Sequence, residues 1–355
     1  MSAEVHIIAV AARTPLGLTA EASAAAVRAG IDRISEHPFV IDRVAEPLRS
    51  AQDPGLDPAL SGPERFLAMA RTALEELVEK IMPLHLDFSR TSLRVALPEE
   101  RPGWTHQDAD AVYRGLGRLA LPMDFEPIQL FSNGHAAGLM ALEQACARIW
   151  EEQEELSVIV GVDSFFQFET LEWLDKNRQL ATSYHRGAFF PGEGAGAFAV
   201  ASSRVVDSYG IPSLAVVRGI GAATEKQAIK TDGVCLGEGL TKSVRKAVAT
   251  LHLPDEAVDG IIGDINGERY RSEEWGFTLL RLPDALRDPT GYELPSACWG
   301  DMGAASGPLF VMLATAAAQR GSAKGPRYLI WNSSEGGRRA AAVLELKSQK
   351  HGLRL

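Results

Sequence analysis

Two stretches of this sequence repeat one another in order and spacing. Laid over each other without a gap, Gly134, Ala136, Gly138, Ala145, Ala147 and Ser164 fall on Gly303, Ala305, Gly307, Ala314, Ala316 and Ser333, and Val158–Val162 falls on Arg327–Trp331. Each copy reads as a tight elbow of small residues, a buried helix and a core strand. A chain that carries this unit twice is expected to fold as two like αβ halves, 1–205 and 206–355, sharing one core, with sites where their glycine-rich turns meet.

The first elbow is Ser132-Asn133-Gly134-His135-Ala136-Ala137-Gly138, with the apolar run Pro127–Phe131 before it and an alanine-rich apolar stretch from Leu139 to Trp150 after it. A strand, a sharp turn and a buried helix in that order lift one side chain, here His135, to a helix start whose free N–H groups point at whatever sits there. The second elbow is the small-residue run Gly300–Gly307, with a helix expected to about Ala318.

Along the rest of the chain, Val5–Val10 reads as a strand and Ala20–Ala29 as a helix, whereas the proline-bearing stretch from Ser35 to Pro63 reads as a surface excursion. Phe66, Met69, Ala70, Ala73, Leu74 and Leu77 lie at helical spacing and predict a helix over Pro63–Ile81. Further strands are expected at Thr91–Leu97, Leu156–Val162, Ala215–Ile220, Val258–Ile265, Tyr328–Trp331 and Ala340–Leu346, and helices at Ala109–Leu119 and Gly239–Leu251. The string Pro191-Gly192-Glu193-Gly194-Ala195-Gly196-Ala197 lacks the lysine of a phosphate-binding loop, so its glycines point to close backbone packing and not to a nucleotide.

Composition removes several classes of function. A formal charge of −10 disfavours binding to a phosphate backbone, so no nucleic-acid partner is expected. The densest apolar run, Pro308–Ala318, is shorter than the ~20 residues a membrane span needs. Met1–Val10 has no basic flank and apolar core of the signal-peptide kind, so a cytoplasmic location is expected. Cys146, Cys235 and Cys298 stand far apart, with no CxxC spacing, and read as free thiols. Nothing in the sequence calls for a metal or an organic cofactor.

With these marks in place, the chain resembles the β-ketoacyl-ACP synthases of the thiolase-like fold. The resemblance runs in order from Pro15-Leu16-Gly17 through the first elbow and the Pro191–Ala197 string to Gly300–Gly307 and Glu335-Gly336-Gly337. It implies a layered α-β-α-β-α core, acyl thioester or acyl carrier protein as partner, and a homodimer or a heterodimer with a synthase-like chain. Leu156–Val162 and its aromatic neighbours Phe165, Phe166 and Phe168 are the pairing surface it implies. Members that condense use a cysteine at the elbow and two histidines. Here His135 stands at the cysteine position, Asn266 at the first histidine position and Asp301 at the second. Ser296 stands where the family has a lysine, and Glu335 where it has a phenylalanine. By the same resemblance, backbone N–H groups of His135 and Glu335 form an oxyanion-binding pair, and Gly336 and Ser296 are further oxyanion or substrate-binding positions.

Claisen condensation needs a thiolate to hold the acyl group as a thioester, and neither histidine nor serine replaces it at comparable rate. The residues therefore imply a synthase-like chain that no longer condenses, binding an acyl group, a carrier protein or a partner subunit. The alternative is a changed reaction, hydrolysis, decarboxylation or acyl transfer, with His135 as base or nucleophile oriented by Asp301. Three readings of His135 stay open: that chemistry, a metal held with Asp301 and Glu335, or a structural histidine filling a vacated cavity. Cys298 beside Trp299 reads as a buried apolar thiol. Glu268 and Glu274 read as solvated or paired to Arg269 and Arg271, two arginines that could also meet an acidic carrier.

Overall fold

The computed structural model describes residues 4–43, 45–86, 91–123, 125–229, 231 and 233–348. The chain runs β1 (Val5–Arg13), α1 (Ala20–Arg28), a hairpin of β2 (Ser35–Ile41) and β3 (Pro47–Ser50), α2 (Gly62–Ile81), β4 (Ser92–Leu97) and α3 (His106–Leu116). It continues with β5 (Ile128–Ser132), α4 (Ala137–Trp150), β6 (Leu156–Ser164), α5 (Phe168–Lys176), β7 (Glu193–Ser202) and α6 (Ser203–Tyr209). Then come β8 (Ala215–Thr224), α7 (Glu238–Ala247), β9 (Gly260–Gly263), α8 (Arg269–Arg281), β10 (Tyr292–Glu293), α9 (Ser296–Trp299), α10 (Ser306–Gln319), β11 (Arg327–Ser333) and β12 (Arg338–Leu346).

Ten strands pair in the order β10-β9-β11-β12-β8-β1-β7-β6-β4-β5. Read inward from either edge, three parallel strands are followed by two antiparallel ones, so the same pairing pattern occurs twice. Among the described residues, the strand pairs His6↔Val216 and Ile7↔Ala215 join the two sets, between β1 and β8. Side-chain alternation along each strand then builds three apolar layers. Phe198 and Val200 of β7 and Tyr328 and Ile330 of β11 face a central layer that holds α4 and α10. Ala195, Ala197 and Ala199 of β7 face α2 and α3 on one outer side. Leu329 and Trp331 of β11 face α7 and α8 on the other. The outcome is the expected α-β-α-β-α layering.

The repeated elements coincide. A 3-10 turn at Gly134–Ala136 leads into α4, and one at Gly303–Ala305 leads into α10. Gly134 (φ +63°) and Gly303 (φ +48°) adopt the left-handed backbone that reverses the chain at each elbow. The two elbows meet because the intervening sheet carries no side chain at Gly161. A Cβ there would lie 2.5 Å from the carbonyl oxygen of Ala304.

Several expectations change. The stretch from Ser35 to Pro63 contains the β2–β3 hairpin, whereas the glycines of β7 do serve close packing: a Cβ on Gly196 would lie 2.9 Å from Leu309 N. Glu193 is fully buried, gripped by both Arg65 Nε (2.6 Å) and Nη2 (2.7 Å). Leu156–Val162, expected with its aromatic neighbours as the pairing surface, lies in β6 between β4 and β7, every residue of the strand buried, because its ladder is filled on both sides. The open edge on this side is β5, which pairs with β4 alone and is half-buried along its whole length. No helix among the described residues is long and apolar enough to cross a membrane.

Candidate active site at the paired elbows

His135 enters the space between the elbows from the first of them. Ala136 N–H behind it donates to Ser334 Oγ at 2.8 Å, so the turn before β12 holds the start of α4. The second elbow is held by carboxylates: Gly303 N–H donates to Asp301 (2.7 Å) and Ala304 N–H to Asp163 (2.8 Å), each satisfying a helix-start donor that would otherwise lack a partner. Asp301 is fixed further by main-chain bridging to the Phe190–Gly192 backbone, with its own N–H on Phe190 O at 2.8 Å.

These supports bring His135, Asp301 and Asn266 together. His135 Nε2 lies 2.8 Å from Asp301 Oδ1, and Asn266 Nδ2 donates to Asp301 Oδ2 at 2.6 Å. The chain of contacts continues from Asn266 Nδ2 to Glu268 (3.1 Å) and from Arg271 Nε to Glu268 (3.1 Å). It closes with Arg271 Nη2 standing 3.4 Å from His135 Nε2. Arg271 also donates to Ser333 O at 2.8 Å and faces Asp264 at 2.9 Å. Five side chains thus form a closed polar ring, and all but Asn266 are buried.

The electrostatics follow from that closure. Burial alone would push the His135 imidazole down, but the adjoining Asp301 carboxylate outweighs it and holds the ring above its ordinary value, against a smaller opposing push from Arg271. Burial would raise Asp301, yet His135 and then Arg271 bring it far below the usual carboxylate range. Each partner thus favours the charged form of the other, the protonated imidazole and the ionised carboxylate. The remaining ring nitrogen, Nδ1, has no protein hydrogen-bond partner among the described residues.

A cavity of about 520 Å³ opens onto His135, within the range of small-molecule sites. Its wall includes Phe165, Trp173, Leu174 and Phe189, with Glu335 and Gly336 on the opposite turn, and Glu99 between that turn and the elbow. Gly336 N–H, expected in an oxyanion-binding turn, donates to Glu99 at 2.8 Å. Burial pushes the Glu99 carboxyl up, against the pull of that N–H. Glu335 accepts a bond from Gln179. Ser296 is elsewhere: its hydroxyl donates to Ile265 O at 2.8 Å, and it lines a separate hollow on the far side of Asn266.

Other readings need correction. Arg271 and Glu274 are buried, so neither is a surface charge. Glu274 pairs with Arg339 at 2.6 Å, both side chains fully buried, because the inner face of α8 closes over the turn before β12. Arg269 does face solvent, where it binds Glu273. Among the described residues that line the cavity there is no cysteine, and burial pushes the thiols of Cys146, Cys235 and Cys298 up. Among the described residues, the group with metal-like clustering is Glu225, Cys235 and Glu274, which excludes His135 and spends Glu274 on Arg339. Glu99 and Arg271 were not expected at the site. Glu99 follows a strand in a stretch without periodicity, and Arg271 looks like a surface charge until its carboxylate partners are placed around it.

No protein-family model matches the sequence, and no curated protein matches it. Solved structures do. An oxazolomycin ketosynthase domain from Streptomyces albus JA3453 is 16% identical, with 97% of this chain and 74% of that one covered and a TM-score of 0.76. A chain of the AntDE:AntF assembly, a type II PKS acyl-carrier protein in complex with its ketosynthase bound to the hexaketide, is 13% identical over 98% of this chain and 100% of that one, TM-score 0.76. The ishigamide ketosynthase/chain length factor is 20% identical over 97% and 99%, TM-score 0.65. The chain has the thiolase-like fold of ketosynthases.

Proposed function

We propose that this chain is a ketosynthase-like subunit that binds an acyl thioester in the cavity at His135 without condensing it. The observation that carries this reading is the closed ring. At the elbow, where condensation would need a thiolate, stands a histidine whose Nε2 is committed to Asp301, and an imidazole does not hold an acyl group as the thioester that condensation uses. In the protonated ring, which Asp301 favours, Nδ1–H would donate to a thioester carbonyl at the cavity end. An apolar wall of Phe165, Leu174 and Phe189 suits an acyl chain.

The acyl group would arrive on an acyl carrier protein, the partner named for one structural neighbour, and the chain would work as a dimer with itself or with a synthase-like chain, as a ketosynthase/chain length factor neighbour suggests. The β5 edge, directly before the elbow, is the surface we assign to that pairing. The halves 1–205 and 206–355 would then act as one unit with the site at their junction.

A hydrolytic reading has one observation in its favour, the 2.8 Å His135–Asp301 contact beside a cavity. It requires the neutral imidazole, so any such activity would rise toward alkaline pH.

Calorimetric titration with hexanoyl-pantetheine tests the proposal. Saturable binding to the wild type, lost in Ala228→Trp, which fills the cavity wall, is expected. No binding to the wild type, with the fold intact, contradicts it.

A further inference from the structure

The elbow that carries His135 does not close itself. Asn133, at the start of its 3-10 turn, and Ala136, at the start of α4, make no side-chain capping bond, and Gly134 (φ +63°) gives the main chain no steric hold. One hydroxyl from the other half of the chain closes it. Ser334 Oγ donates to Asn133 O at 2.5 Å and accepts Ala136 N–H at 2.8 Å, bridging the residues two before and one after His135. A hydroxyl suits this place because one atom both donates and accepts.

Ser334 is itself fully buried and fixed. Its N–H donates to Arg338 O at 2.8 Å, and its carbonyl accepts Gly337 N–H (3.1 Å) and Arg339 Nη1 (2.6 Å). Arg339 is anchored in turn on buried Glu274. On the opposite elbow, Asp301 is held by Gly303 N–H and Phe190 O. The His135 end of their 2.8 Å contact therefore depends on the first elbow, and a displacement of about 0.5 Å would carry Nε2 beyond ordinary hydrogen-bond reach.

We propose that Ser334 is a positioning residue for His135, its hydroxyl tying Asn133 O to Ala136 N–H and so keeping Nε2 on Asp301 Oδ1. The assignment stands apart from the acyl-binding reading and is tested without ligand. The charged groups that act on the imidazole are Asp301 on the second elbow and Asp264 after β9, which favour its charge, Arg271 on α8, which opposes it, and Glu99 after β4. Ser334 carries no charge, so its hydroxyl reaches the titration through where the ring sits.

Histidine NMR titration of the full chain is the test, with the His135 signal assigned by its loss in His135→Gln. In Ser334→Ala the counterweight of Asp301 weakens while burial remains, so the His135 midpoint is expected to fall by roughly half a pH unit or more. Ser334→Cys, close in size but a weaker donor and acceptor, should fall part of the way. Ser333→Ala removes the neighbouring buried hydroxyl, which binds Glu274 at 3.0 Å and not the elbow. It should lower the denaturation midpoint and leave the titration as in the wild type. An unmoved His135 midpoint in folded Ser334→Ala overturns the assignment. So does a fall of equal size in Ser333→Ala, which would trace the effect to a loosened core. Should Ser334→Ala fail to fold, Ser334→Cys decides: a His135 midpoint below the wild type upholds the assignment, and an unchanged one overturns it.

Discussion

His135 Nε2 lies 2.8 Å from Asp301 Oδ1, joining the two elbows across 166 positions of sequence. Removing the carboxylate should reverse the histidine's titration. In Asp301→Asn the burial that opposes protonation is left without its main counterweight, so His135 should titrate below the ordinary value of 6.5, where the wild type titrates above it. Histidine NMR titration of both proteins reads the change of sign.

The same pair sets a pH window for stability. His135 is raised on folding, so its contribution is complete below 6.5 and is lost as pH climbs through the raised value. Asp301 is lowered, so its contribution is complete above 3.8 and is lost as pH falls through its depressed value. The stability difference between wild type and Asp301→Asn should therefore be larger near pH 5.5 than near pH 9, as measured by urea denaturation.

How much of this was readable in the residues alone depends on what holds each part. The elbows, α4 and α10 announce themselves because small residues and apolar runs recur at fixed spacing, whereas the grouping of His135, Asn266 and Asp301 is implied by the family resemblance and not by spacing. Helix α8 does not announce itself. It buries Arg271 and Glu274 through ion pairs and not through an apolar stripe, so hydrophobic periodicity misses its inner face. The run of β6 is silent for a related reason: a continuous apolar stretch says that both faces are covered, but not whether its edges are paired. Glu99 gives no signal, since the Gly336 N–H it accepts lies far away in the chain.

Arg339 and Glu274 are paired with neither side chain exposed. Removing one partner leaves the other charge buried, so Arg339→Met should cost about 3–5 kcal/mol, read as a lowered denaturation midpoint. A double Arg339→Met, Glu274→Leu variant should recover most of the loss.

Gly161 faces the Ala304 carbonyl where the second elbow crosses β6. Gly161→Ala forces that backbone apart and should cost about 1–3 kcal/mol by the same measurement.

The measurement closest to the central claim is turnover of malonyl- and acyl-carrier-protein thioesters by the wild type and His135→Ala, with products and covalent adducts followed by mass spectrometry. The account expects acyl thioester to be bound by the wild type with no condensation product, no hydrolysis and no covalent adduct near neutral pH. A product or a histidine-linked acyl adduct that forms with the wild type and vanishes in His135→Ala would contradict it and make the elbow histidine a catalyst.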